Sequence, residues 1–503
     1  MTFARVQAAK LQAQGDLAGA LMSYEAALRA APDDPDLLAA MAALAEQLEM
    51  PPVAEAFWRR VAVLQPARAE AIDGQARALS AVGRFDDAIS LLQAALPNHA
   101  EDARLWNRLG VTLTQAGQPR TALTFFDESL RLDGRSPAAL HNRGGAWFDL
   151  GGFAEAQADF EAAAAAGRNR SDIAMIEFSV ATLRLARGDL ASGWDAYETR
   201  HSPHLPKAVT YDAPGDRWAP DVPLTGRRLL VFAEQGLGDE IMFAGLIPDV
   251  IDALGPRGRL GLAVEPRLVD LFRRSFPAAL ITGHTTKIDG AARRRSAAFP
   301  DPSPAFDLWT PLASLARRFR TSLADFPSQP AYLRPDPARV AHWRAWLGPG
   351  PAAGLTWRSG KLSGDRRRNY PPLEAWAPIL RTRGVRFVNL QYGDCADERR
   401  ALSQLGQEDI LEPPGIDLRN DLDDLAALCA ALDAVVGIAN ATTQLAGACG
   451  TPTILLTPPA VWPLLGTDRY PWHPTARAVI CPSMGDWGPA MAAAAEMLAG
   501  MKS

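Results

Sequence analysis

Asp239 is a carboxylate at the first turn of a predicted helix, just past the carboxyl end of a predicted strand. It closes a polar turn that follows an apolar run ending at Ala233 and precedes a helical pattern beginning at Ile241. The turn lacks the third glycine of a dinucleotide-binding loop and the Lys-Ser or Lys-Thr pair of an ATP-binding loop. Asp239 is therefore either a helix cap or a catalytic carboxylate, and the sequence leaves both roles open. The other candidate residues of this turn are Glu234, Gln235, Gly236 and Gly238.

A second group of candidate residues is cationic. Trp357 and Arg358 end another apolar run, and Lys361 and Arg366–Arg368 follow in a segment rich in glycine and serine. Arginine offers a planar fork of donors and lysine a point charge, which suits a phosphate group at the end of a parallel strand. We therefore predict that this segment binds a diphosphate or phosphodiester. The run Arg293–Arg295 has no such context, and we interpret it as a solvated loop.

Amide and hydroxyl side chains follow a third apolar run. Asn440, Thr442 and Thr443 stand where a helix of small residues begins. They form either an anion site together with the helix amides or an ordinary N-cap. Gln391 and Tyr392 end a neighbouring run and could contact the base or ribose of a nucleotide.

Composition excludes several classes of function. The chain has 52 basic and 57 acidic residues, which disfavours nucleic acid and membrane surfaces as partners. Its four cysteines form no metal-binding or disulfide pattern, and the Asp421–Asp423 pair is interpreted as a helix cap, so we predict no metal and no cofactor. The N-terminus lacks a secretory signal pattern, and no apolar run reaches the ~18 residues of a membrane span. These features predict a soluble, cytoplasmic protein without membrane insertion.

The first third of the chain has a periodic sequence. Small, large apolar and turn residues recur every 34 residues, which is the period of the tetratricopeptide repeat (TPR). The repeated positions are Ala20, Ala54, Ala88, Ala122 and Ala156, then Tyr24, Trp58, Leu92, Phe126 and Phe160, with Gly15, Glu49, Gly83, Gly117 and Gly151 at the turns. This pattern predicts an all-α TPR solenoid over residues 1–200, with a last helical pair as its cap. Such a solenoid offers a groove for a protein partner, or serves as a rigid spacer or dimerisation arm.

After a proline-rich linker at 201–226, short apolar runs alternate with helical stretches. The predicted strands are 229–233, 260–264, 278–282, 352–357, 385–391, 434–438 and 453–457. Alternation of this kind predicts parallel sheets with helices on both faces. We expect two doubly wound, Rossmann-like α/β domains, at 227–335 and 336–503, that face each other across a cleft, with ligands at the carboxyl ends of the strands.

Taken together, these motifs resemble the TPR-fused bacterial glycosyltransferases related to the ADP-heptose:lipopolysaccharide heptosyltransferases. The stretches that carry the resemblance are AEQGLGDEIMFAGLIP, GLTWRSGK…DRRRNYP, FVNLQYGD and DLAALCAALDAVVGIANATTQLAGACGTPTILL. The resemblance implies a GT-B fold, a metal-independent transfer reaction, a nucleotide-sugar donor in the C-terminal half and Asp239 as the general base. It also implies that Arg358, Lys361 and the amides after Asn440 stabilise the leaving phosphate.

One departure from the family pattern bears on the identity of the sugar donor. Relatives carry an aspartate and a histidine where this chain has Asn440 and Gln444. Loss of an anion beside a phosphate suggests a donor with fewer phosphate charges. The closest type is then the TPR-containing flagellin glycosyltransferases, which transfer nonulosonic acids from CMP donors to serine or threonine. The sequence leaves two alternatives open: a catalytically inactive protein-binding scaffold, and an enzyme that modifies saccharides.

Overall fold

The computed structural model describes residues 2–234, 236–289, 292–300, 305–360, 364–406 and 409–500. The chain forms two compact units. One contains residues 1–176 together with 361–369, and the other contains residues 177–360 and 370–503. Within the described residues, no helix is both long enough and apolar enough to cross a membrane.

The first unit is a series of antiparallel helical hairpins. Its helices are α1 (Thr2–Ala13), α2 (Leu17–Ala30), α3 (Pro35–Gln47), α4 (Pro51–Leu64), α5 (Ala69–Ala81), α6 (Phe85–Ala95), α7 (Ala103–Gln115), α8 (Pro119–Leu132), α9 (Pro137–Asp149) and α10 (Phe153–Ala166). The five alanines of the 34-residue period are all fully buried, as the repeat pattern predicts. The TPR-like helical region is therefore confirmed.

The packing within each hairpin explains why the repeat needs small residues. A Cβ added at Gly110 of α7 would lie 2.5 Å from the ring of Phe126 in α8. At Gly144 of α9 the corresponding distance to Phe160 in α10 is 2.7 Å. Both distances are far below van der Waals contact, so the aromatic ring of the second helix occupies the space that a side chain on the first would need.

The helices outside these hairpins vary from 4 to 17 residues in length, and several of them pack on strands. They are α11 (Arg170–Ala186), α12 (Leu190–Tyr197), α13 (Leu237–Phe243), α14 (Ile247–Leu254), α15 (Val269–Ser275), α16 (Ala316–Phe319), α17 (Pro337–Leu347), α18 (Gly364–Arg367), α19 (Ala377–Leu380), α20 (Ala396–Leu405), α21 (Leu422–Ala431), α22 (Ala441–Ala448) and α23 (Gly488–Gly500). The strands are β1 (Val209–Asp212), β2 (Asp216–Arg217), β3 (Arg228–Phe232), β4 (Arg259–Val264), β5 (Ala279–Asp289), β6 (Ala292–Ala297), β7 (Leu308–Pro311), β8 (Ala352–Thr356), β9 (Arg386–Asn389), β10 (Ala434–Ile438), β11 (Thr453–Thr457) and β12 (Ala476–Ile480).

These strands form two sheets. The first has the order β1-β6-β5-β4-β3-β7-β2, with every pair parallel except β5 and β6. The second has the order β12-β11-β10-β8-β9 and is parallel throughout. Strands β8, β10 and β11 are buried along their whole length, which explains their uninterrupted apolar sequences. An α/β region with parallel-strand sheets thus follows the helical region, as predicted.

Two segments differ from the sequence-based prediction. The predicted linker at 201–226 contains β1 and β2, which extend the two edges of the first sheet. The run Arg293–Arg295, expected in a solvated loop, lies in β6, where Arg295 is 8% exposed. Alternating exposure within a strand lets one arginine be buried while its neighbour is exposed, and an Arg-Arg-Arg run conceals this period of two.

The helix pair expected to cap the solenoid is divided between the two units. The boundary falls inside α11, and all of α12 belongs to the second unit. Trp194 of α12 is buried there and makes edge contacts with the rings of Phe243, Trp462 and Trp472 at centroid distances of 6.2, 6.0 and 6.0 Å. The end of the helical region is thus part of the core of the α/β unit.

Candidate functional site

Within the second unit, the turn before α13 lies against the start of α22. A Cβ added at Gly238 would lie 3.5 Å from the backbone nitrogen of Ala441 and 3.6 Å from the carbonyl carbon of Asn440, which is ordinary van der Waals contact. The turn follows β3 of the first sheet, and α22 follows β10 of the second. The carboxyl ends of one strand from each sheet therefore meet here, where α/β sheets bind ligands.

Asp239 lies in the first turn of α13 and is half-buried. Its Oδ2 accepts a hydrogen bond from the backbone N–H of Gly236 at 3.2 Å. Burial raises the pKa of the Tyr470 phenol, a hydrogen bond with Gln444 lowers it, and the Asp239 charge raises it further. Asp239 therefore makes a capping contact and also acts electrostatically on Tyr470, a residue that follows β11 in the chain. Its role as a cap does not prevent its carboxylate from lying at this junction.

Glu234 has a structural role in the turn. Its carboxylate is buried and accepts hydrogen bonds from Nε and Nη2 of Arg200, each at 2.8 Å, and from the backbone N–H of Ala313 at 2.7 Å. Burial by itself would raise the pKa of Glu234, but the Arg200 charge and hydrogen bonds outweigh it and hold the pKa below its usual range. Glu234 thus anchors the start of the turn. Gln235 lies outside the described residues.

Trp357 and Arg358 are both bound by a carboxylate that the sequence analysis did not identify. Glu398 in α20 accepts from Nε1 of Trp357 at 2.9 Å and from Nε of Arg358 at 2.7 and 2.8 Å. Arg358 also donates to the carbonyl of Asp394 at 2.7 Å and is 8% exposed. The predicted phosphate-binding cation is therefore already neutralised, because Glu398 is brought to it from 40 residues away by the fold.

The rest of the predicted cationic segment belongs to the first unit. The described residues of this segment, 364–369, belong to the same unit as the solenoid helices. Arg368 forms an ion pair with the buried Asp149 of α9, and Arg367 lies against Gly83. Burial raises the pKa of Asp149, and the Arg368 charge opposes that shift. Arg367 and Arg368 thus contact the solenoid, in contrast to the predicted phosphate contact. Lys361 lies outside the described residues.

Gln391 and Tyr392 connect strand ends in the second sheet. The buried Oε1 of Gln391 accepts from the backbone N–H of Trp357 at 3.0 Å and of Arg358 at 2.9 Å. The Tyr392 hydroxyl accepts from the N–H of Gly360 at 3.0 Å. Both side chains therefore hold the loop after β8 in place, and the base or ribose contact expected of them stays a prediction.

Asn440 is the N-cap of α22. Its Oδ1 accepts from the N–H groups of Thr442 at 3.0 Å and Thr443 at 3.1 Å, and its Nδ2 donates to Thr356 Oγ1 at 2.7 Å. Of the two roles left open by the sequence, the structure shows the cap, and two first-turn amides are already satisfied. The Thr443 hydroxyl donates to the carbonyl of Ile438 at 2.9 Å, whereas the buried Thr442 hydroxyl has no partner among the described residues.

Gln444, which replaces a histidine of the resembled family, belongs to a buried polar network. It donates from Nε2 to the Tyr470 hydroxyl at 2.6 Å, and its Oε1 lies 2.7 Å from Nε2 of His473. Burial lowers the pKa of His473 to about 3, so this imidazole is neutral and can donate to Gln444. The network links Gln444 of α22 to Met242 of α13 through a 3.2 Å contact of the Tyr470 hydroxyl.

The site thus brings together Asp239, a capped helix start and a buried polar network at the junction of two sheets. Chemically, Asp239 is the group at this junction that could accept a proton from a hydroxyl. The most informative residues that sequence reasoning missed are Arg200 and Glu398. The sequence around each of these two residues gives no sign of a role in the site. Arg200 acts through Glu234, which lies 34 residues away in the chain, and Glu398 acts through Arg358, which lies 40 residues away.

Comparison with known proteins adds two findings. A model of the tetratricopeptide repeat matches residues 74–137. Over 488 residues the chain is 45% identical to protein FlbA of Caulobacter vibrioides, in an alignment that covers 96% of this chain and 82% of the relative.

Several solved structures resemble the helical region. The crystal structure of MamA is 22% identical and matches 33% of this chain and 90% of its own, with a TM-score of 0.29. A thermophilic TPR protein of Thermus thermophilus is 19% identical and matches 36% of this chain and 97% of its own, with a TM-score of 0.32. With TM-scores this low, neither likeness bears on what the chain does.

Proposed function

The chain belongs to the family of Caulobacter vibrioides FlbA, and from that premise we propose that it is a metal-independent protein O-glycosyltransferase with a GT-B arrangement of its two sheets. The proposal rests on one observation: the Asp239 turn, which follows β3, lies against the start of α22, which follows β10, so that the carboxyl ends of one strand from each sheet meet. A carboxylate at such a junction can act on a substrate that the other sheet binds.

The proposed reaction uses Asp239 as the general base. A serine or threonine hydroxyl of the acceptor protein attacks the anomeric carbon of a nucleotide sugar, with CMP-linked nonulosonic acids as the donors that the sequence resemblance favours. The new carbon–oxygen bond forms as the bond to the nucleotide phosphate breaks. Asp239 takes the hydroxyl proton, and the phosphate leaves with the bonding electron pair. No metal is required for this balance.

The acceptor is proposed to bind to the solenoid. TPR domains generally bind protein partners, since stacked hairpins leave an extended surface open. Flagellin is the acceptor that the sequence resemblance favours.

Exchange of Asp239 tests this function. With purified flagellin and a CMP-linked nonulosonic acid, Asp239→Asn should lower the transfer rate by about 10²-fold or more. Asp270→Asn, which removes an exposed carboxylate in the same unit, should transfer at the wild-type rate. Wild-type activity in Asp239→Asn would exclude Asp239 as the base.

A second candidate function is an inactive scaffold that binds protein only. It is favoured by the pairing of Arg358 with Glu398 and by the capping of α22, both of which occupy groups expected to hold a phosphate. Nucleotide binding separates the two. A donor site should raise the melting temperature in the presence of CMP, UDP, ADP or GDP, since a ligand that binds only the folded state stabilises it. No shift with any of the four would favour the scaffold.

A further inference from the structure

Arg295 of β6 is a buried cation without a counter-ion in the described part of the chain. It is 8% exposed, and its Nη1 donates to the carbonyl of Ala233, the residue that follows β3. Its Nε is buried and makes no hydrogen bond, and no carboxylate of the described residues forms an ion pair with it. An isolated buried charge is strongly unfavourable. A ligand that supplies the missing negative charge would therefore be stabilised here.

Other unsatisfied polar groups share this face of the first sheet. Tyr211 of β1 and Thr286 of β5 are both register partners of Arg295. Partners in register point to the same side of a sheet, and His284, two residues from Thr286, points to that side as well. The hydroxyl of Tyr211 and Nε2 of His284 are buried and have no hydrogen-bond partner among the described residues. His284 is 8% exposed.

His201 extends this group at the edge of the sheet. Its ring lies 6.0 Å from that of Tyr211, and its Nε2 is also buried without a hydrogen-bond partner in the described part of the chain. We call Arg295, Tyr211, His284 and His201 the β6 cluster. Four unsatisfied polar atoms in one place contrast with the usual pairing of buried polar groups in native proteins.

The charges around the β6 cluster leave its cation uncompensated. Arg200 is neutralised by Glu234 and Glu198. Glu265 pairs with Arg267 at 2.7 Å.

At neutral pH, Glu240 and the two histidines do not compensate the positive charge of Arg295. Burial raises the pKa of Glu240 to about 8, so this carboxyl is mostly protonated. Burial, and the charges of Arg295 or Arg200, lower the pKa of His284 and of His201 to about 4. The net charge of the β6 cluster is therefore positive, and its imidazoles are neutral.

We propose that the β6 cluster binds a carboxylate, which comes either from an acidic sugar in the donor or from the acceptor protein. The Nη1 of Arg295 is already used by Ala233, which leaves the Nε–Nη2 edge for the two oxygens of a planar carboxylate. A single cation matches one carboxylate charge better than a phosphate dianion. Ala233 directly precedes the turn of Asp239, so the bound group lies at the carboxyl edge of the sheet. The assignment of the carboxylate to the donor sugar or to the acceptor protein rests on the proposed function, whereas the anion site itself does not.

The experiment compares Kd values for three probes: CMP, CMP-N-acetylneuraminic acid and flagellin. If the donor supplies the carboxylate, wild type should bind the CMP sugar about 10-fold tighter than CMP, as one charge-assisted bidentate contact provides. Arg295→Gln should remove that ratio and leave the Kd for CMP unchanged. If the acceptor supplies it, Arg295→Gln should instead weaken flagellin binding.

Free N-acetylneuraminic acid and its uncharged methyl ester test the anion site without the nucleotide. Wild type should bind the acid better than the ester, and Arg295→Gln should bind both equally. Equal binding of acid and ester by wild type, with no effect of Arg295→Gln on flagellin, would overturn the proposal and assign the unpaired atoms to water. Absence of nucleotide binding beside a preserved acid–ester difference would overturn the proposed function but not the anion site.

Three further variants guard against loss of folding. Arg295→Lys keeps the charge and a donor for Ala233 but loses the planar fork, so carboxylate affinity should fall while the melting temperature stays near that of wild type. Tyr211→Phe removes only the unpaired hydroxyl and should also weaken carboxylate binding. Arg294→Gln, on the exposed face of the same strand, is the matched control and should bind every probe as wild type does.

Discussion

Two neighbouring glutamates of the site region show how the surroundings decide the charge of a side chain. Glu234 and Glu240 are both buried, at 3% and 4% exposure. Glu234 meets Arg200, and its pKa is lowered despite its burial. Glu240 accepts one hydrogen bond, from the backbone N–H of Glu265, and burial raises its pKa to about 8. Sequence cannot tell them apart, because the difference lies entirely in their partners.

Glu240→Gln should make the protein more stable at pH 8 than wild type. Wild-type Glu240 ionises near 4.5 when unfolded and near 8 when folded, so the folded state binds the additional proton between these values. Stability then falls as pH rises, by at most about 1.4 kcal/mol per pH unit for this group. Glutamine mimics the protonated form and keeps the acceptor for Glu265.

Urea unfolding at pH 5 and pH 8 checks this prediction. The difference between Glu240→Gln and wild type should be small at pH 5 and grow toward pH 8. Glu128→Gln, an exposed carboxylate of α8, should parallel wild type across the range. A difference that does not change with pH would contradict the raised pKa.

Glu234→Gln should destabilise the second unit. The change leaves the buried Arg200 with only Glu198 as a charged partner, and breaking a buried pair costs about 3–5 kcal/mol. The ionised Glu234 contributes stability above its unfolded pKa near 4.5, and this contribution is lost as pH falls through its lower folded value. The loss in Glu234→Gln should therefore be full at pH 7 and shrink in acid.

The same unfolding measurement includes an exposed ion pair as its control. Asp195 of α12 pairs with Arg317 at 2.8 Å, and its side chain is 65% exposed. Asp195→Asn should change stability by less than about 1 kcal/mol. Equal losses of unfolding free energy for Asp195→Asn and Glu234→Gln would show that burial of the Arg200–Glu234 pair does not increase its contribution to stability.

At the scale of elements, the turns of the helical hairpins require a left-handed residue. Gly15, Gly83, Gly117 and Gly151 have φ values of 84°, 81°, 79° and 76°. The second repeat has Glu49 at the same position with φ 55°, a conformation that side chains other than glycine rarely adopt. The spacing in the sequence predicted that these five residues lie at the turns, and the structure shows that all five have a positive φ.

Gly117→Ala and Gly145→Ala should have opposite effects on the solenoid. A Cβ at either position meets no atom within 4 Å, so packing is unaffected. Gly117 has φ 79°, where alanine is strained by about 1 kcal/mol, whereas Gly145 lies inside α9, where alanine is favoured by about the same amount. The urea concentration at which the solenoid is half unfolded should fall for Gly117→Ala and rise for Gly145→Ala. Equal shifts in either direction would contradict this explanation.

At the scale of the whole molecule, the helical region and the α/β region do not separate where the repeat pattern ends. Trp194 donates from Nε1 to the carbonyl of Arg320 at 2.8 Å and lies within a cluster of aromatic rings in the second unit. Arg200, a few residues later, holds Glu234. Residues that a repeat-based boundary at 200 assigns to the solenoid thus complete the core and the site of the other unit.

Two N-terminal deletions test this boundary. A variant that lacks residues 1–167 keeps α11 and α12, and it should unfold cooperatively and bind nucleotide as the full chain does. It should not modify a protein acceptor, because the solenoid is absent. A variant that lacks residues 1–200 exposes Trp462 and Trp472 and leaves Glu234 buried without Arg200, so it should aggregate or unfold at lower temperature. Equal melting temperatures for the two variants would contradict the role of α12. Modification of the protein acceptor by either variant would contradict acceptor binding by the solenoid, whereas transfer to a saccharide that survives the deletion would favour the saccharide-modifying alternative.

The sequence by itself determined the helical repeats and most strands, because both follow from local periodicity. The 34-residue spacing predicts five buried alanines, and uninterrupted apolar runs predict parallel strands such as β8 and β10. Periodicity failed at β6, where three arginines hide an alternating strand, and at β1 and β2, which are too short to show a pattern. Strands β7 and β12 were also not predicted.

Only the tertiary structure decided which candidate side chains are available for chemistry. Arg358 was predicted from its own position in the chain, but Glu398 arrives from another helix and neutralises it. Arg295 was interpreted as a solvated cation, yet it is buried with no carboxylate partner among the described residues. A charged side chain is defined by what the fold brings within a few ångströms of it, and that information is absent from the residues on either side of it in sequence.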